Sequence, residues 1–278
     1  MQKKKRILIV GGVAGGASCA ARLRRLCENC EIVLFDKGEH VSFANCGLPH
    51  FIGNVIQEEE QLLVAKPKLF HDRFNIQVHT QHEVTTIDRI NKTVTVINLI
   101  DGQERLERYD ALVLATGAHA IRPPLAGIDS PNIYSLRTIP DSLKLKAAAA
   151  KAKRAVIIGG GFIGLEMAEN LAHLGLQVTI IEMAMQVMPP LDADMASYVK
   201  KCLETNHITL LLGQAVESFK QTESGLEVYY SNGYIETDLV LLAIGVLPES
   251  SLAKQAKECA RNNFLKQPSL NNEISPLN

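Results

Sequence analysis

The chain has no tryptophan, and aromatic residues make up only 5% of its 278 positions. A platform for stacking the bases of a single nucleic-acid strand is therefore missing. A surplus of one charge is missing too: 29 Lys and Arg stand against 30 Asp and Glu, for a formal net charge of -1. That removes the electrostatic footprint of a nucleic-acid binder. No apolar run approaches the roughly 20 residues that cross a bilayer, so neither nucleic acid nor membrane is an expected partner. The six cysteines (Cys19, Cys27, Cys30, Cys46, Cys202, Cys259) are too scattered for the disulfide framework of a small secreted domain. They read as reduced thiols of a cytoplasmic protein. Lys3-Lys4-Lys5-Arg6 and the apolar residues up to Ala17 imitate a secretion signal. Two Gly-Gly pairs interrupt that stretch, however, and Arg22, Arg24 and Arg25 follow at once, which fits a buried strand and a glycine turn better.

What the chain does contain is a duplication. With 46% hydrophobic and 21% charged residues it is globular, and its length suits two domains of about 150 residues. The apolar run Arg6 to Val10 leads into Gly11-Gly12-Val13-Ala14-Gly15-Gly16 and a small-residue helix pattern ending at Leu26. A second apolar run, Glu31 to Phe35, ends at Asp36, twenty residues after Gly16. In the middle of the chain the order recurs. Ala155 to Ile158 leads into Gly159-Gly160-Gly161-Phe162-Ile163-Gly164, then a helix pattern, then Val178 to Ile181. That run ends at Glu182, eighteen residues after Gly164. Each copy is followed by a buried-type strand leaving through Ala-x-Gly: Ala115-Thr116-Gly117 in the first, Ala243-Ile244-Gly245 in the second. The pattern predicts an α/β fold of two tandem Rossmann-like three-layer domains. We place the first over 1–120, a connecting loop and helix over 121–152, the second over 153–250, and a polar tail over 251–278. Within them, alternation predicts strands between Val84 and Val96, and Asn232-Gly233 predicts a hairpin.

The glycine spacing carries chemistry. The first glycine of such a turn allows the sharp bend, the second lets backbone approach a pyrophosphate, and the third lets helix and strand pack closely. Free N–H groups at the helix start then face the anion, and the acid at the next strand end takes the ribose diol. Gly159, Gly161 and Gly164 fill all three roles. In the first copy Val13 stands where the second glycine is expected. Glu182 suits the free ribose hydroxyl of NADH and would repel the extra phosphate of NADPH, and Met183, Ala184 and Met185 supply no arginine for that phosphate. NADH is therefore the expected nucleotide.

Between the first turn and its Ala-Thr-Gly lies Val41-Ser42-Phe43-Ala44-Asn45-Cys46-Gly47-Leu48-Pro49-His50. A free cysteine is commonly a small buried hydrophobe. Here Ser42 and Asn45 are polar neighbours, and Gly47 and Pro49 fit a helix start, a setting that activates thiols. Together with the two glycine turns, Ala115-Thr116-Gly117, Gly159 to Glu166 and Ala243 to Gly245, this segment resembles the flavin-dependent pyridine nucleotide–disulfide oxidoreductases over about residues 1–256. It is most similar to their single-cysteine branch, the coenzyme A-disulfide and persulfide reductases and the NADH oxidases and peroxidases.

The resemblance implies that the first unit holds the ADP half of FAD, with Asp36 and Lys37 at its ribose, and that the second holds NADH. It places Phe162 and Glu166 near the flavin–nicotinamide contact and makes Cys46 the catalytic sulfur. It makes Ser18, Arg22, Arg25, Ser42 and Asn45 contacts for a coenzyme A-type substrate, with Asn45 a cofactor contact as well. Classical members carry a second cysteine five residues on, where this chain has Phe51. A lone thiolate instead forms a mixed disulfide with a small thiol or cycles through a sulfenic acid. The implied partner is a small disulfide or persulfide such as coenzyme A disulfide. The alternatives are reduction of oxygen or peroxide, or a nucleotide-binding remnant without turnover. Phe74 and His50 depart from the lysine and tyrosine usual in parts of the family. The family also continues into a strand ending in Ala-x-Gly-Asp and a C-terminal dimerisation domain, neither found here, so the chain reads as a truncated member with an incomplete first domain.

Three other features have plainer readings. Cys27-Glu28-Asn29-Cys30 ends a helix rather than beginning one and reads as structural filler. The histidines lack metal-ligand spacing. Met183, Met185 and Met188 read as packing residues.

Overall fold

A computed structural model describes residues 4–223, 225–256, 260–261 and 264–265. In chain order the elements are β1 (Arg6–Val10), α1 (Gly15–Leu26), β2 (Glu31–Phe35), α2 (Leu48–Ile52), α3 (Pro67–Phe74), β3 (Gln77–His79), β4 (His82–Asp88), β5 (Thr93–Asn98), β6 (Glu104–Arg108), β7 (Ala111–Leu114), β8 (Ala118–Ala120) and β9 (Ile133–Tyr134). Then come α4 (Ile139–Ala149), β10 (Arg154–Ile158), α5 (Phe162–His173), β11 (Gln177–Glu182), α6 (Ala193–Thr205), β12 (Thr209–Leu212), β13 (Val216–Thr222), β14 (Gly225–Tyr230), β15 (Gly233–Thr237), β16 (Leu239–Leu242), β17 (Val246–Pro248) and α7 (Ser251–Gln255), with the short pair β18 (Ala260–Arg261) and β19 (Phe264–Leu265).

The chain divides into two units. The first takes the described residues up to Phe43, Leu63–Ala118, and those from Leu247 on. Its core is a parallel sheet in the order β3-β2-β1-β7. Side chains alternate across the pleat. Ile7, Ile9, Ile32 and Leu34 meet Ala17, Ala20 and Phe70 of the helices on one face. Leu8, Val10, Val33 and Phe35 meet Val84, Val94 and Val96 of the antiparallel β4-β5-β6 sheet on the other. This is the expected three-layer arrangement.

The second unit takes Ala44–Leu62 and His119–Val246. It repeats the plan, with a parallel sheet β12-β11-β10-β16-β9 and an antiparallel β13-β14-β15 sheet on one face. Val156, Ile158, Val240 and Leu242 pack there against Phe219, Leu226 and Val228. Helix α5 lies against β10 and β11. The two sheets differ at one side. β16 is buried and has β9 as an outer neighbour, whereas β7 is half-exposed and has no outer neighbour among the described residues.

Three expectations need correction. The segment carrying Cys46 falls not in the first unit but in the second, because α2 packs on α4 and α5. Lys146 Nζ of α4 donates to the Phe51 carbonyl at 2.8 Å and sits 3.8 Å from the Phe51 ring centroid. Gly53 approaches α5 so closely that a Cβ there would lie 2.1 Å from Asn170 Oδ1. The residues from 251 on are not all tail. Ser251–Gln255 is helical, and Leu252 is buried among Leu8, Val10 and Val84 of the first unit. Cys259 and most of the remaining tail lie outside the described residues.

The third correction concerns Cys27 and Cys30, which are joined in a disulfide rather than reduced. The chain leaves α1 extended at Cys27 and turns at once into β2, which brings the two Cα atoms to 5.6 Å, within the disulfide range. Arg24 gathers the same turn. Its guanidinium donates to the carbonyls of Cys27, Glu28, Cys30, Phe74 and Asn75. We expect the chain, denatured without reductant, to titrate two fewer thiols than after reduction. Equal thiol counts would contradict the pairing.

Candidate functional site

The two glycine turns are built alike. Gly11 and Gly159 adopt left-handed φ values of +98° and +109°. A Cβ at Gly11 would come 2.1 Å from the Ala115 carbonyl oxygen, and one at Gly159 would come 2.5 Å from that of Ala243. The alanines of the two Ala-x-Gly exits are thus the floor over which each turn bends. At the third position, a Cβ on Gly16 would meet the Gly11 oxygen at 1.7 Å, and one on Gly164 would meet the Gly159 oxygen at 2.1 Å. Only glycine lets these helices seat so close to their strands. Gly161, at the second position, has open space on its Cβ side. Val13 holds that place in the first unit, and the next open glycine there is Gly15, beyond Ala14, with only the Ala115 methyl group near.

The acids close each turn in the same way. Asp36 accepts from Gly12 N–H at 2.6 Å and Gly38 N–H at 2.7 Å. Glu182 accepts from Gly160 N–H at 2.6 Å and Ala184 N–H at 2.7 Å. Each carboxylate accepts one of these bonds on each oxygen, which leaves further lone pairs on both. Burial pushes the Asp36 carboxyl above its ordinary range, against the two N–H bonds and the Lys37 charge, which pull it down. In the first unit Thr116 Oγ1 donates to the Glu249 carbonyl, and Glu249 N–H donates to the Gly117 carbonyl at 2.9 Å.

In the second unit a cavity of about 440 Å³ opens over the turn, lined by Gly159, Gly161, Phe162, Ile163, Glu182 and Gly245 among others. Arg137 and Gln214 also line it. Arg137 Nε and Gln214 Oε1 are buried with no hydrogen-bond partner. Orphaned polar atoms are costly unless something pairs them. An open glycine beside a carboxylate, with Arg137 and Gln214 in the lining, fits a dinucleotide. Sequence reasoning missed Arg137 and Gln214, since neither belongs to a motif. Met183 and Met185, expected to pack, are 76% and 82% exposed next to Glu182, whereas Met188 is buried as expected.

Cys46 lies in a short 3₁₀ turn, Asn45–Gly47, at the start of α2. It is an exposed free cysteine. Phe51, at the family's second-cysteine place, is buried. Asn45 is exposed, and its Nδ2 donates to the Arg137 carbonyl at 3.3 Å. Ser18, Arg22 and Arg25 are exposed on one face of α1. Ser42 sits at the foot of the first turn, donating its N–H to the Gly12 carbonyl at 2.9 Å. Ser18, Arg22, Arg25 and Ser42 thus belong to the first unit, and Asn45 and Cys46 to the second. Glu166 is half-buried on α5, where its carbonyl takes the Asn170 amide.

Two Rossmann-type units, each with a glycine turn closed by a carboxylate, define a protein of the tandem dinucleotide-binding class. The chain belongs to the pyridine nucleotide-disulphide oxidoreductase family, whose profile matches residues 5–268. It is 37% identical over 254 residues to the coenzyme A disulfide reductase of Staphylococcus epidermidis, covering 90% of this chain and 56% of that protein. Among solved structures it is similar to reduced CoADR-RHD of Bacillus anthracis, with 43% identity, a TM-score of 0.91, and coverage of 94% of this chain and 47% of that one. A NAD-dependent persulfide reductase from A. fulgidus is 34% identical with a TM-score of 0.88, over 92% and 49% of the two chains. The chain thus spans about half the length of the relatives it matches. No helix among the described residues is long and apolar enough to cross a membrane.

Proposed function

We propose that the chain carries the FAD site, the NADH site and the redox cysteine of an enzyme that reduces a small disulfide or persulfide, of which coenzyme A disulfide is the leading candidate. The observation that carries this reading is the doubled glycine turn with its carboxylate clamp, in a chain whose Cys46 is exposed and has no cysteine five residues on. When bound, FAD supplies a two-electron relay between NADH and sulfur.

The residues divide the work. Gly11, Gly12, Val13, Ala14, Gly15 and Gly16 present the start of α1 to the FAD pyrophosphate, with Ala115, Thr116 and Gly117 as the neighbouring strand exit. Asp36, with Lys37 beside it, holds the adenosine ribose. Gly159, Gly161, Ile163 and Gly164 do the same for NADH, and Glu182 takes its free ribose hydroxyls and disfavours NADPH. Phe162, Glu166 and Gly245 border the nicotinamide. Ser18, Arg22, Arg25, Ser42 and Asn45 receive the phosphates and polar arm of the substrate. The Cys46 thiolate attacks one sulfur of the disulfide, forming a mixed disulfide and expelling the other half as a thiolate. Over a full turnover, one disulfide, one NADH and one proton give two thiols and NAD⁺. Incubation with coenzyme A disulfide should add one coenzyme A to Cys46, read as a mass shift on its peptide. Trapping of Cys46 by dimedone after peroxide, without any such adduct, would favour a peroxidase instead.

A pH dependence follows from Asp36. Its ionised form accepts the ribose hydroxyls, and its folded-state value is raised by burial. In the free chain this carboxyl favours folding below its unfolded value, and that contribution is lost as pH rises through the folded one. Cofactor binding runs the opposite way. FAD retention should fall on acidification from a pH above the ordinary Asp value of about 3.9. Retention that stays flat until below that value would contradict the role given to Asp36.

A further inference from the structure

We propose that Arg137 binds the nicotinamide half of the dinucleotide through its guanidinium while its backbone steadies the segment carrying Cys46. The inference rests on the NADH reading of the second unit and adds a residue that no motif in the chain marks.

Arg137 stands between β9 and α4, and its backbone is fixed at both ends. Its N–H donates to Asp141 Oδ2 at 3.1 Å, and its carbonyl accepts Asn45 Nδ2 at 3.3 Å. The Asp141 carboxylate is spent on backbone. It also takes the Thr138 N–H at 2.9 Å, closing the capping box of α4. Arg137 lines the cavity over the glycine turn, and its Nε is buried without an acceptor. Burying a guanidinium N–H unpaired is unfavourable, and a fold carries that cost where a ligand supplies the acceptor.

Sheet order says which part of the ligand that is. Glu182 ends β11, on one side of β10, the strand that feeds the glycine turn. β9 lies on the other side of β10, beyond β16. With neighbouring strands about 4.8 Å apart, the exits of β11 and β9 stand roughly 14 Å apart. Adenosine ribose at Glu182 and pyrophosphate over Gly161 leave the nicotinamide half to extend toward β16 and Arg137. A guanidinium there donates to an oxygen of the nicotinamide ribose, its phosphate or the carboxamide. The Asn45 contact then joins the occupied pocket to the residue next to Cys46.

The test compares NADH with 5′-ADP, which lacks the nicotinamide half, as ligands of wild-type protein and Arg137→Met, both followed by calorimetry. Arg137→Met should weaken NADH about tenfold and leave 5′-ADP within about twofold. Its ligand-free melting temperature should not fall, because the buried Nε leaves no partner behind. NADH affinity unchanged by the substitution, or 5′-ADP weakened as much as NADH, overturns the inference while leaving the dinucleotide site standing. Wild-type protein that binds neither ligand overturns the NADH reading itself, and this inference with it.

Discussion

Replacing Cys46 by serine should abolish reduction of a small disulfide by the FAD-loaded chain, by about 10³-fold or more, while NADH-to-dye electron transfer continues. The serine hydroxyl is a poor nucleophile toward sulfur and cannot form the mixed disulfide, yet it is nearly isosteric, so α2 and its contacts with Lys146 and Asn170 persist. The other free cysteines among the described residues are poor substitutes. Cys19 packs against the core of the first unit, and burial pushes its thiol above the ordinary value. Cys202 is exposed on α6, where its sulfur receives the Asn206 amide. Steady-state assays of the two reactions side by side check the expectation. Disulfide turnover surviving in Cys46→Ser would remove the sulfur from the mechanism.

The second large effect separates two glycines three residues apart. Gly164→Ala puts a methyl group 2.1 Å from the Gly159 carbonyl oxygen. Backbone must move to admit it, and the cost should be about 2–3 kcal/mol of stability. Gly161→Ala meets nothing within 4 Å, and its backbone is extended, a conformation alanine adopts freely. Stability should stay within about 0.5 kcal/mol, but NADH affinity should fall about tenfold or more, because the methyl group occupies the approach of the pyrophosphate. Thermal melts and NADH titrations of the two variants distinguish the roles. Equal loss of stability in both would show that Gly161 serves packing and not a ligand.

These contrasts also mark what the sequence made legible. A turn that needs left-handed φ at one glycine and bare backbone at another writes itself into residue spacing, so Gly11, Gly16, Gly159 and Gly164 could be read directly. Asp36 and Glu182 followed because a helix and a strand of similar lengths separate each from its turn. Strands β1, β2, β10, β11 and β16 were readable as apolar runs because both faces are covered, whereas β3 and β9, of three and two residues, were not. The Ala-x-Gly exits were visible as a repeat, but their purpose was not. That the alanine carbonyl floors the turn is a contact more than eighty residues away in sequence for both Gly11 and Gly159. Long-range packing also explains the misplaced cysteine segment. Nothing local in Leu48 to Ile52 says that Lys146 and Asn170 will hold it. Arg137 was hidden for a related reason, since its neighbours Thr138 and Asp141 form an ordinary helix cap. Arg24 likewise gave no sign in sequence that it would bind five carbonyls and draw Cys27 toward Cys30.

The central claim is that one chain cradles two different nucleotides and passes electrons between them. Anaerobic addition of NADH to the FAD-loaded protein tests that most directly. Flavin absorbance near about 450 nm should bleach with close to one equivalent of NADH, and much less readily with NADPH. Protein that stays colourless after incubation with FAD, or that binds FAD but keeps its absorbance under excess NADH, would contradict it.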